Sequence, residues 1–310
     1  MEVPNLADII LALDILPPVP IYLKQWVHGE SPISTWPVVT GWLVGYLGVI
    51  FGIREIMKPY KPLKLNGLFQ IHNLFLVTVS ALVLVLMLEE ILPHWYKHGF
   101  FSAICNTTAW TPRMEFYYIV NYYIKYVELI DTVFLVLKKK PLAFLHVFHH
   151  AATALLCFTQ LEGRTSVSWV VISINLAVHV LMYYYYYATA GGAKIWWKKY
   201  LTTFQIVQFV IDLFVVYFAT YSYFAATRWD APSLGTCAGT EGAALFGCGL
   251  LTSYLFLFIS FYINTYTKKG AKKAKGQHKT LRERINGSAN GHVLDALANG
   301  KDPSVLDKVN

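Results

Sequence analysis

The sequence predicts an all-α integral membrane protein that crosses the bilayer seven times. The chain is 55% hydrophobic and only 14% charged over 310 residues, and its mean hydropathy of +0.43 is too high for a soluble protein of this size. Its apolar runs reach the roughly 20 residues that a helix needs to cross the hydrocarbon core. Its basic residues also alternate between sparse and dense in successive loops. Together these observations exclude a soluble globular domain.

Seven segments are apolar and long enough to form the spans. They cover about residues 37–57, 67–92, 116–137, 142–160, 167–189, 200–226 and 242–266. The N-terminal stretch "NLADIILALDILPPVP" is also apolar, but its two aspartates and three prolines favour an interfacial helix within a lumenal segment, residues 1–36. We expect a catalytic membrane domain over 37–267 and a basic, disordered cytosolic tail over 268–310.

The distribution of basic residues predicts the orientation. The segments on one side of the predicted spans carry 20 Lys and Arg residues, and those on the other side carry 5. The positive-inside rule places the richer side, which includes the tail, in the cytosol and the N-terminus in the lumen. Lys125 is the one basic residue that this count leaves deep inside a span.

Polar side chains lie in four consecutive spans, and in each span they repeat at helical spacing and so share one face. Ionisable groups inside a membrane are costly and usually functional. The sets are Lys125, Glu128, Asp131 and Thr132; His146, His149 and His150; Asn175, His179, Met182, Tyr183 and Tyr186; and Thr202, Gln205, Gln208 and Asp212.

These four sets also share a depth. Asp131, His149, His179 and Gln205 lie between about 6 and 10 residues from the cytosolic ends of their spans, which is roughly 9–15 Å at 1.5 Å per residue. Packing alone does not require this coincidence. We therefore predict a single polar chamber that opens toward the cytosol.

Structural roles for several of these residues remain open. Lys125 with Glu128 or Asp131 could be a buried ion pair that fixes helix register. Most of the tyrosine run 183–187 fits an aromatic belt at the membrane surface, and Gln205 and Gln208 could be hydrogen-bonding contacts between helices. His72 and Asp212 have no obvious partner in the sequence and are interpreted as structural.

The histidine triplet allows two chemistries. Membrane desaturases and hydroxylases carry HxxHH boxes, but their di-iron sites use about eight histidines. Of the ten histidines here, only His146, His149, His150 and His179 share the layer, so a metal site is the alternative hypothesis. Imidazoles beside Lys, Glu and Asp instead suit acyl transfer, because an imidazole can attack a thioester and its neighbours can move protons and stabilise an oxyanion.

The four polar sets match motifs of a known family. The segments "KYVELIDT" (125–132), "HVFHH" (146–150), "NLAVHVLMYYYY" (175–186) and "TTFQIVQ" (202–208) follow one another in this order. The sequence therefore resembles the ELO family (elongation of very long chain fatty acids), and "KKKPLAFLHVFHHAATALLCFTQ" is most similar to its fungal branch.

The resemblance implies an endoplasmic reticulum condensing enzyme, a very-long-chain 3-oxoacyl-CoA synthase. Such an enzyme joins a long acyl-CoA to malonyl-CoA and releases CO2 and CoA. The family has seven spans, six of which form an inverted barrel around an acyl tunnel, and a lumenal disulfide that corresponds to Cys105 and Cys237. No cofactor is expected, since CoA thioesters are substrates. Expected partners are membrane lipid, the reductases and dehydratase of the elongation cycle and a second copy in a homodimer, but not nucleic acid.

The resemblance also implies roles for individual residues. His149 would be the nucleophile that forms an acyl-imidazole, with His179 across the tunnel and His146 and His150 orienting or deprotonating their neighbours. The substrate-binding set would be Lys125, Glu128, Asp131, Asn175, Tyr183, Gln205 and Gln208. The candidates for contacts with the CoA phosphates are Lys138, Lys139, Lys140, Lys194, Lys198 and Lys199. Pro141 stands where polyunsaturate-elongating relatives often have Gln, which favours saturated or monounsaturated acyl chains.

Overall fold

The computed structural model describes residues 5–12 and 20–267, and every regular element within them is helical. The prediction of an all-α protein is therefore confirmed for the described part of the chain. The α-helices are α1 (Leu6–Ala12), α2 (Ile21–Lys24), α3 (Trp36–Ile56), α4 (Asn66–Cys105), α5 (Pro112–Glu128), α6 (Ile130–Leu137), α7 (Phe144–Gly163), α8 (Ser168–Ala190), α9 (Lys198–Phe224) and α10 (Glu241–Tyr262). The predicted tail, residues 268–310, lies outside the described residues.

Five helices are long and apolar enough to cross a membrane by length and composition: α3, α4, α8, the stretch Lys198–Trp229 that begins with α9, and the stretch Glu241–Thr267 that begins with α10. The other two predicted spans coincide with α5 plus α6 and with α7. These helices carry the KxxExxDT and HxxHH residues, which lower their hydropathy. The protein is thus a multi-pass membrane protein, and the full set of seven spans remains a prediction.

Local sequence explains where several helices begin or bend. Pro112 occupies the first turn of α5, and the Thr111 hydroxyl accepts a hydrogen bond from the Met114 amide as an N-cap. Helix α4 runs for 40 residues, but its backbone leaves helical geometry at Gly99, where φ is +82°. Glycine has no Cβ and adopts this conformation without steric cost, so the last turns of α4 take a new direction.

Six parts of the chain contact one another around the polar motifs: α4, α5 with α6, α7, α8, α9 and α10. Helix α4 packs on α5 and, most extensively, on α8; α5 also packs on α7, and α8 on α9. Hydrogen bonds connect the remaining neighbours, with Gln160 of α7 donating to the Ala243 carbonyl of α10. Thr220 of α9 likewise contacts the Cys248 thiol of α10. Helix α3 packs on α6.

The segment before α3 covers the start of α5 and the end of α7. The Trp26 amide donates to Glu115 of α5 at 2.9 Å, and the Trp26 indole donates to Glu162 of α7 at 2.6 Å. The buried indole also packs edge-on against Tyr122 and Phe158. A disulfide joins Cys105 to Cys237 on the same side. Trp26 thus connects the N-terminal segment to two helices that follow much later in the chain.

By internal contacts the chain divides into two compact units, Met1–Phe258 and Ile259–Asn310. The structure describes the second unit only as far as residue 267. This part contains the end of α10 and a π-helical turn, Ile263–Thr267, with the rings of Tyr262 and Tyr266 5.2 Å apart.

We predict that Trp26→Ala lowers the unfolding temperature of the detergent-purified protein by roughly 5 °C or more, because it removes a buried indole and the hydrogen bond that this indole donates to Glu162. The matched control is Trp196→Ala, since Trp196 is 81% exposed. A thermal unfolding scan of both variants compares them. Equal unfolding temperatures would contradict a structural role for the N-terminal segment.

Candidate active site

A cavity lies among α5, α7, α8, α9 and α10. Polar side chains from four helices line one end, and mostly apolar ones line the rest. The polar set is Lys125, His149, Asn175 and Gln208. The apolar set includes Leu156, Leu161, Val171, Ile172, Phe209, Val216 and Leu251. This cavity is the candidate active site, because polar groups from separate helices converge at the end of an apolar pocket.

The buried charges of the cavity form one hydrogen-bonded network. The Lys125 ammonium donates to Glu128 and to the Asn175 side-chain oxygen, both at 2.9 Å. Nδ1 of His179 lies 3.1 Å from the same Glu128 oxygen, and Nε2 of His179 lies 3.3 Å from Asn175. Lys125 and Glu128 are 2% and 3% exposed. The predicted ion pair therefore exists, and α8 supplies its remaining partners.

Asp131 lies in a second hydrogen-bonded network. The sequence left one of its members, His72, without an obvious partner. One carboxylate oxygen lies 2.9 Å from Nε2 of His72 on α4, and the other accepts a hydrogen bond from the Tyr183 hydroxyl at 2.9 Å. Next to Asp131, Thr132 accepts from the Tyr46 hydroxyl at 2.8 Å. Asp131 and Tyr183 are buried but do not line the cavity. The structure thus gives His72 a partner, and it places Tyr183 in the interior instead of an aromatic belt.

The three histidines of α7 have different surroundings. His149 lines the cavity, and aromatic rings surround it: Tyr254 at 4.7 Å, Phe258 at 5.7 Å and Phe209 at 6.4 Å between centroids. Its Nδ1 is buried without a hydrogen-bond partner in the described part of the chain. His146 and His150 pack on each other with centroids 4.4 Å apart, away from the cavity lining. Of the triplet, His149 is therefore the one that a ligand in the cavity can contact.

The glutamines of α9 also differ. Gln208 lines the cavity, and its amide lies 3.4 Å from Asp212. Gln205 instead donates to the Met182 sulfur at 3.5 Å, which is a contact between α9 and α8. Tyr254 belongs to none of the sequence motifs, yet its hydroxyl contacts Thr153 and the His149 carbonyl. These contacts between α10 and α7 identify Tyr254 as part of the site. The sequence does not, because a lone tyrosine in an apolar span carries no signal.

The six lysines proposed for CoA lie outside the cavity, at the α6–α7 connection and around the start of α9. Lys139 and Lys140 are exposed, and the Lys139 ammonium donates to the Lys58 carbonyl. Lys138 stacks over the Phe69 ring at 4.1 Å. Partial burial and the nearby Lys140 lower the Lys138 pKa. Lys194, Lys198 and Lys199 are exposed. The two clusters give the side of the protein on which they lie a surplus of positive charge.

A metal ion would need several ligands close together. Within residues 5–12 and 20–267, no group of three or more His, Cys, Asp or Glu side chains is arranged to hold one. Glu128 and His179 bond to each other and Asp131 to His72, so those ligand atoms already have partners.

These features define a class: a multi-pass membrane protein with a mostly apolar pocket that is rich in hydrogen-bond donors at one end. A family model described as the GNS1/SUR4 family (ELO) matches residues 31–274. The chain belongs to this family.

Named relatives agree with that membership. "Putative fatty acid elongase 1" of Schizosaccharomyces pombe is 51% identical over 250 residues, which cover 80% of this chain and 75% of that one. Fatty acid elongase A of Dictyostelium discoideum is 36% identical, with 81% and 91% covered. Very long chain fatty acid elongase 2 of Rattus norvegicus is 30% identical, with 88% and 94% covered.

We predict that Lys125→Met strongly destabilises the protein, by about 3–5 kcal/mol, because Glu128 is left as a buried charge without its counter-ion. The double variant Lys125→Met/Glu128→Gln should recover part of this loss. Thermal unfolding of the purified proteins measures both effects, with Lys194→Met in an exposed loop as the control. A double variant no more stable than the single one would contradict a mutual ion pair.

Proposed function

We propose that the protein condenses a long-chain acyl-CoA with malonyl-CoA, which makes it a fatty acid elongase that acts as a 3-oxoacyl-CoA synthase. The observation that carries this proposal is the position of His149: an imidazole at the polar end of an apolar cavity, beside Lys125, Asn175 and Gln208. Membership of the family and the printed names of the relatives support fatty acid elongation.

The first half-reaction is acyl transfer to His149. The imidazole nitrogen attacks the thioester carbonyl, a C–N bond forms, and the C–S bond breaks. CoA leaves as a thiolate that takes up a proton to become the free thiol, and the imidazole N–H loses one. Lys125, Asn175 and Gln208 carry N–H donors at the same end of the cavity and can stabilise the oxyanion.

The second half-reaction forms the new carbon–carbon bond. Malonyl-CoA loses CO2, and the electron pair of the broken bond becomes an enolate that attacks the acyl-imidazole carbonyl. The C–N bond then breaks, so the imidazole is regenerated and 3-oxoacyl-CoA leaves. Over the whole cycle one proton is taken up, because the carboxylate leaves as neutral CO2. Burial of His149 among aromatic rings slows hydrolysis of the intermediate by limiting the access of water.

The length of the cavity suits a long acyl chain. From His149 to Leu161, both of which line it, α7 advances twelve residues, or roughly 18 Å. An extended hydrocarbon chain advances roughly 1.25 Å per carbon, given a C–C bond of about 1.5 Å. The cavity therefore accommodates roughly 14 carbons beyond the reacting carbonyl.

The helix arrangement, the contacts with CoA, the cellular location and the partner enzymes belong to the same proposal. The inverted barrel would consist of α4, α5 with α6, α7, α8, α9 and α10. The ring of contacts from α4 through α5, α7, α10, α9 and α8 back to α4 supports it. The exposed lysines of the cytosolic connections would bind the phosphates of CoA. We further propose an endoplasmic reticulum location with a lumenal N-terminus, and cooperation with the enzymes that reduce and dehydrate the 3-oxoacyl product.

A metal-dependent lipid desaturase or hydroxylase is the alternative function. It would require His146, His149, His150 and His179 to act as ligands together. The buried bond between His179 and Glu128 and the pairing of His146 with His150 do not favour this arrangement. Stoichiometric iron or zinc in the purified protein, with activity lost to a chelator, would support the alternative.

The covalent step can be tested without malonyl-CoA. Incubation with a long-chain acyl-CoA alone should release CoA at up to one equivalent and leave an acyl group on the peptide that contains His149, as read by mass spectrometry. His149→Ala should abolish the adduct and lower condensation by at least about 10³-fold, because the nucleophile is gone. His149→Gln gives a second variant if the smaller side chain impairs folding.

Cys157 supplies the control, since its thiol also lines the cavity. Cys157→Ser should keep both the adduct and the activity. An acyl group on Cys157 instead of His149 would show that the nucleophile is a thiol.

The tunnel should also limit product length. Gly247 lines the cavity, and a Cβ there would lie 3.6 Å from the Gln160 amide without a clash. Gly247→Leu should therefore fold and shorten the longest product by several carbons, as measured by gas chromatography of the reduced products. Gly249→Leu is the matched control, because Gly249 is an exposed residue of the same helix with open space around it. Unchanged products in Gly247→Leu would place the acyl chain elsewhere.

A further inference from the structure

The lumenal half of the cavity contains three polar side chains that the condensation chemistry does not use. They are Trp110, Tyr118 and Asn121, and all three line the cavity. Within the described part of the chain, the indole nitrogen of Trp110, the hydroxyl of Tyr118 and the side-chain oxygen of Asn121 are buried without a hydrogen-bond partner. Tyr118 and Asn121 are 2% and 1% exposed. Buried polar groups are normally paired, so three in one place need an explanation.

The three groups form a cluster. Tyr118 and Asn121 are one turn apart on α5 and so share a face. The rings of Trp110 and Tyr118 lie 4.8 Å apart between centroids. A single small ligand group beside α5 can therefore reach more than one of them.

Other polar residues of this half of the cavity do have partners. Gln160 donates to the Ala243 carbonyl at 2.9 Å and accepts from Thr165 at 2.6 Å. The Ser168 hydroxyl lies 2.6 Å from that of Thr165. In this half of the cavity, the buried polar atoms without a partner among the described residues are therefore those of Trp110, Tyr118 and Asn121.

The position of the cluster along the tunnel follows from contacts between α5 and α7. The Asn121 amide lies 3.6 Å from the Cys157 sulfur, so these two residues are at the same height. His149 precedes Cys157 by eight residues, or roughly 12 Å, and Tyr118 lies roughly 4–5 Å further from His149 along α5. At roughly 1.25 Å per carbon, the cluster lies beside roughly carbons 11 to 14 of a chain whose carbonyl carbon, carbon 1, is at His149.

We propose that Trp110, Tyr118 and Asn121 form a binding site for a hydroxyl group on the acyl chain, so that the enzyme accepts long-chain acyl-CoA hydroxylated near carbon 12. The inference rests on the proposed function, because it places the thioester at His149. An alkyl chain at this height would cover the three polar atoms without pairing them, and that is unfavourable. A hydroxylated chain would pair them.

A hydroxyl matches the cluster better than other oxygen groups do. It can donate to the Asn121 oxygen and at the same time accept from the Tyr118 hydroxyl or the Trp110 N–H. A ketone accepts only, so it would leave Asn121 unpaired. The site therefore selects an alcohol over a ketone at the same carbon.

The experiment compares octadecanoyl-CoA with its 12-hydroxy, 12-oxo and 5-hydroxy derivatives on the full-length purified protein. Binding is measured without malonyl-CoA, by competition with labelled octadecanoyl-CoA, and turnover is measured with malonyl-CoA. The 12-hydroxy chain should bind at least as tightly as the plain chain. The 5-hydroxy chain should bind at least tenfold more weakly, because its hydroxyl lies beside Thr153 and Tyr254, whose hydroxyls already pair with each other. The 12-oxo chain should lie between the two.

Two conservative variants remove the polar atoms and keep the shape. Tyr118→Phe and Asn121→Leu should each weaken binding of the 12-hydroxy chain by tenfold or more relative to the plain chain, and Asn121→Thr serves if leucine impairs folding. Tyr117→Phe is the matched control, since Tyr117 is a buried neighbour on α5 that does not line the cavity. The affinity of Tyr117→Phe for the 12-hydroxy chain relative to the plain chain should equal that of the wild type.

The outcomes separate this inference from the proposed function. A wild type that binds the 12-hydroxy and 5-hydroxy chains equally, or a preference unchanged in Tyr118→Phe and Asn121→Leu, would overturn the site. If neither chain condenses with malonyl-CoA but the binding preference appears and disappears as described, the site stands and the condensing function fails.

Discussion

The buried ion pair of Lys125 and Glu128 is the constraint on which the rest of the site depends. Two buried full charges are unfavourable unless each has partners. Asn175 and His179 supply them from α8, and this fixes the rotation of α5 relative to α8. That rotation in turn directs Tyr118, Asn121 and Lys125 toward one cavity. A single electrostatic requirement therefore determines which face of α5 a substrate meets.

Much of this arrangement could be predicted from the sequence, because costly polar residues inside spans leave a strong signal. The motifs place Lys125, His149, Asn175 and Gln208 on the lining of one cavity, whereas Asp131, His179 and Gln205, which the sequence sets at the same depth as His149, do not line it. The sequence does not predict which residues pair when they are far apart in the chain, because the rotation of each helix about its axis is then unknown. His72 bonds to Asp131 across 59 residues, and Tyr183 is one tyrosine in a run of five. Tyr254 lies in no motif at all.

The cavity separates two physical tasks along its length. At one end of the cavity, Lys125, Asn175 and Gln208 carry nitrogen donors and line it together with His149, where charge would develop during acyl transfer. In the other half, most of the lining is apolar and would hold the chain by exclusion of water rather than by specific bonds. The polar exceptions there include Gln160 and Ser168, which have partners, and Trp110, Tyr118 and Asn121, which carry polar atoms without one among the described residues. Reactivity and chain recognition can thus change independently, since different helical turns control them.

The attachment of the N-terminal segment also constrains how the protein is made. Trp26 is synthesised before its indole partner Glu162, which emerges from the ribosome 136 residues later. The segment therefore cannot reach its final position until α7 has been synthesised. Its attachment is for this reason a late step of folding, and the ends of α5 and α7 that it contacts stay uncovered until then.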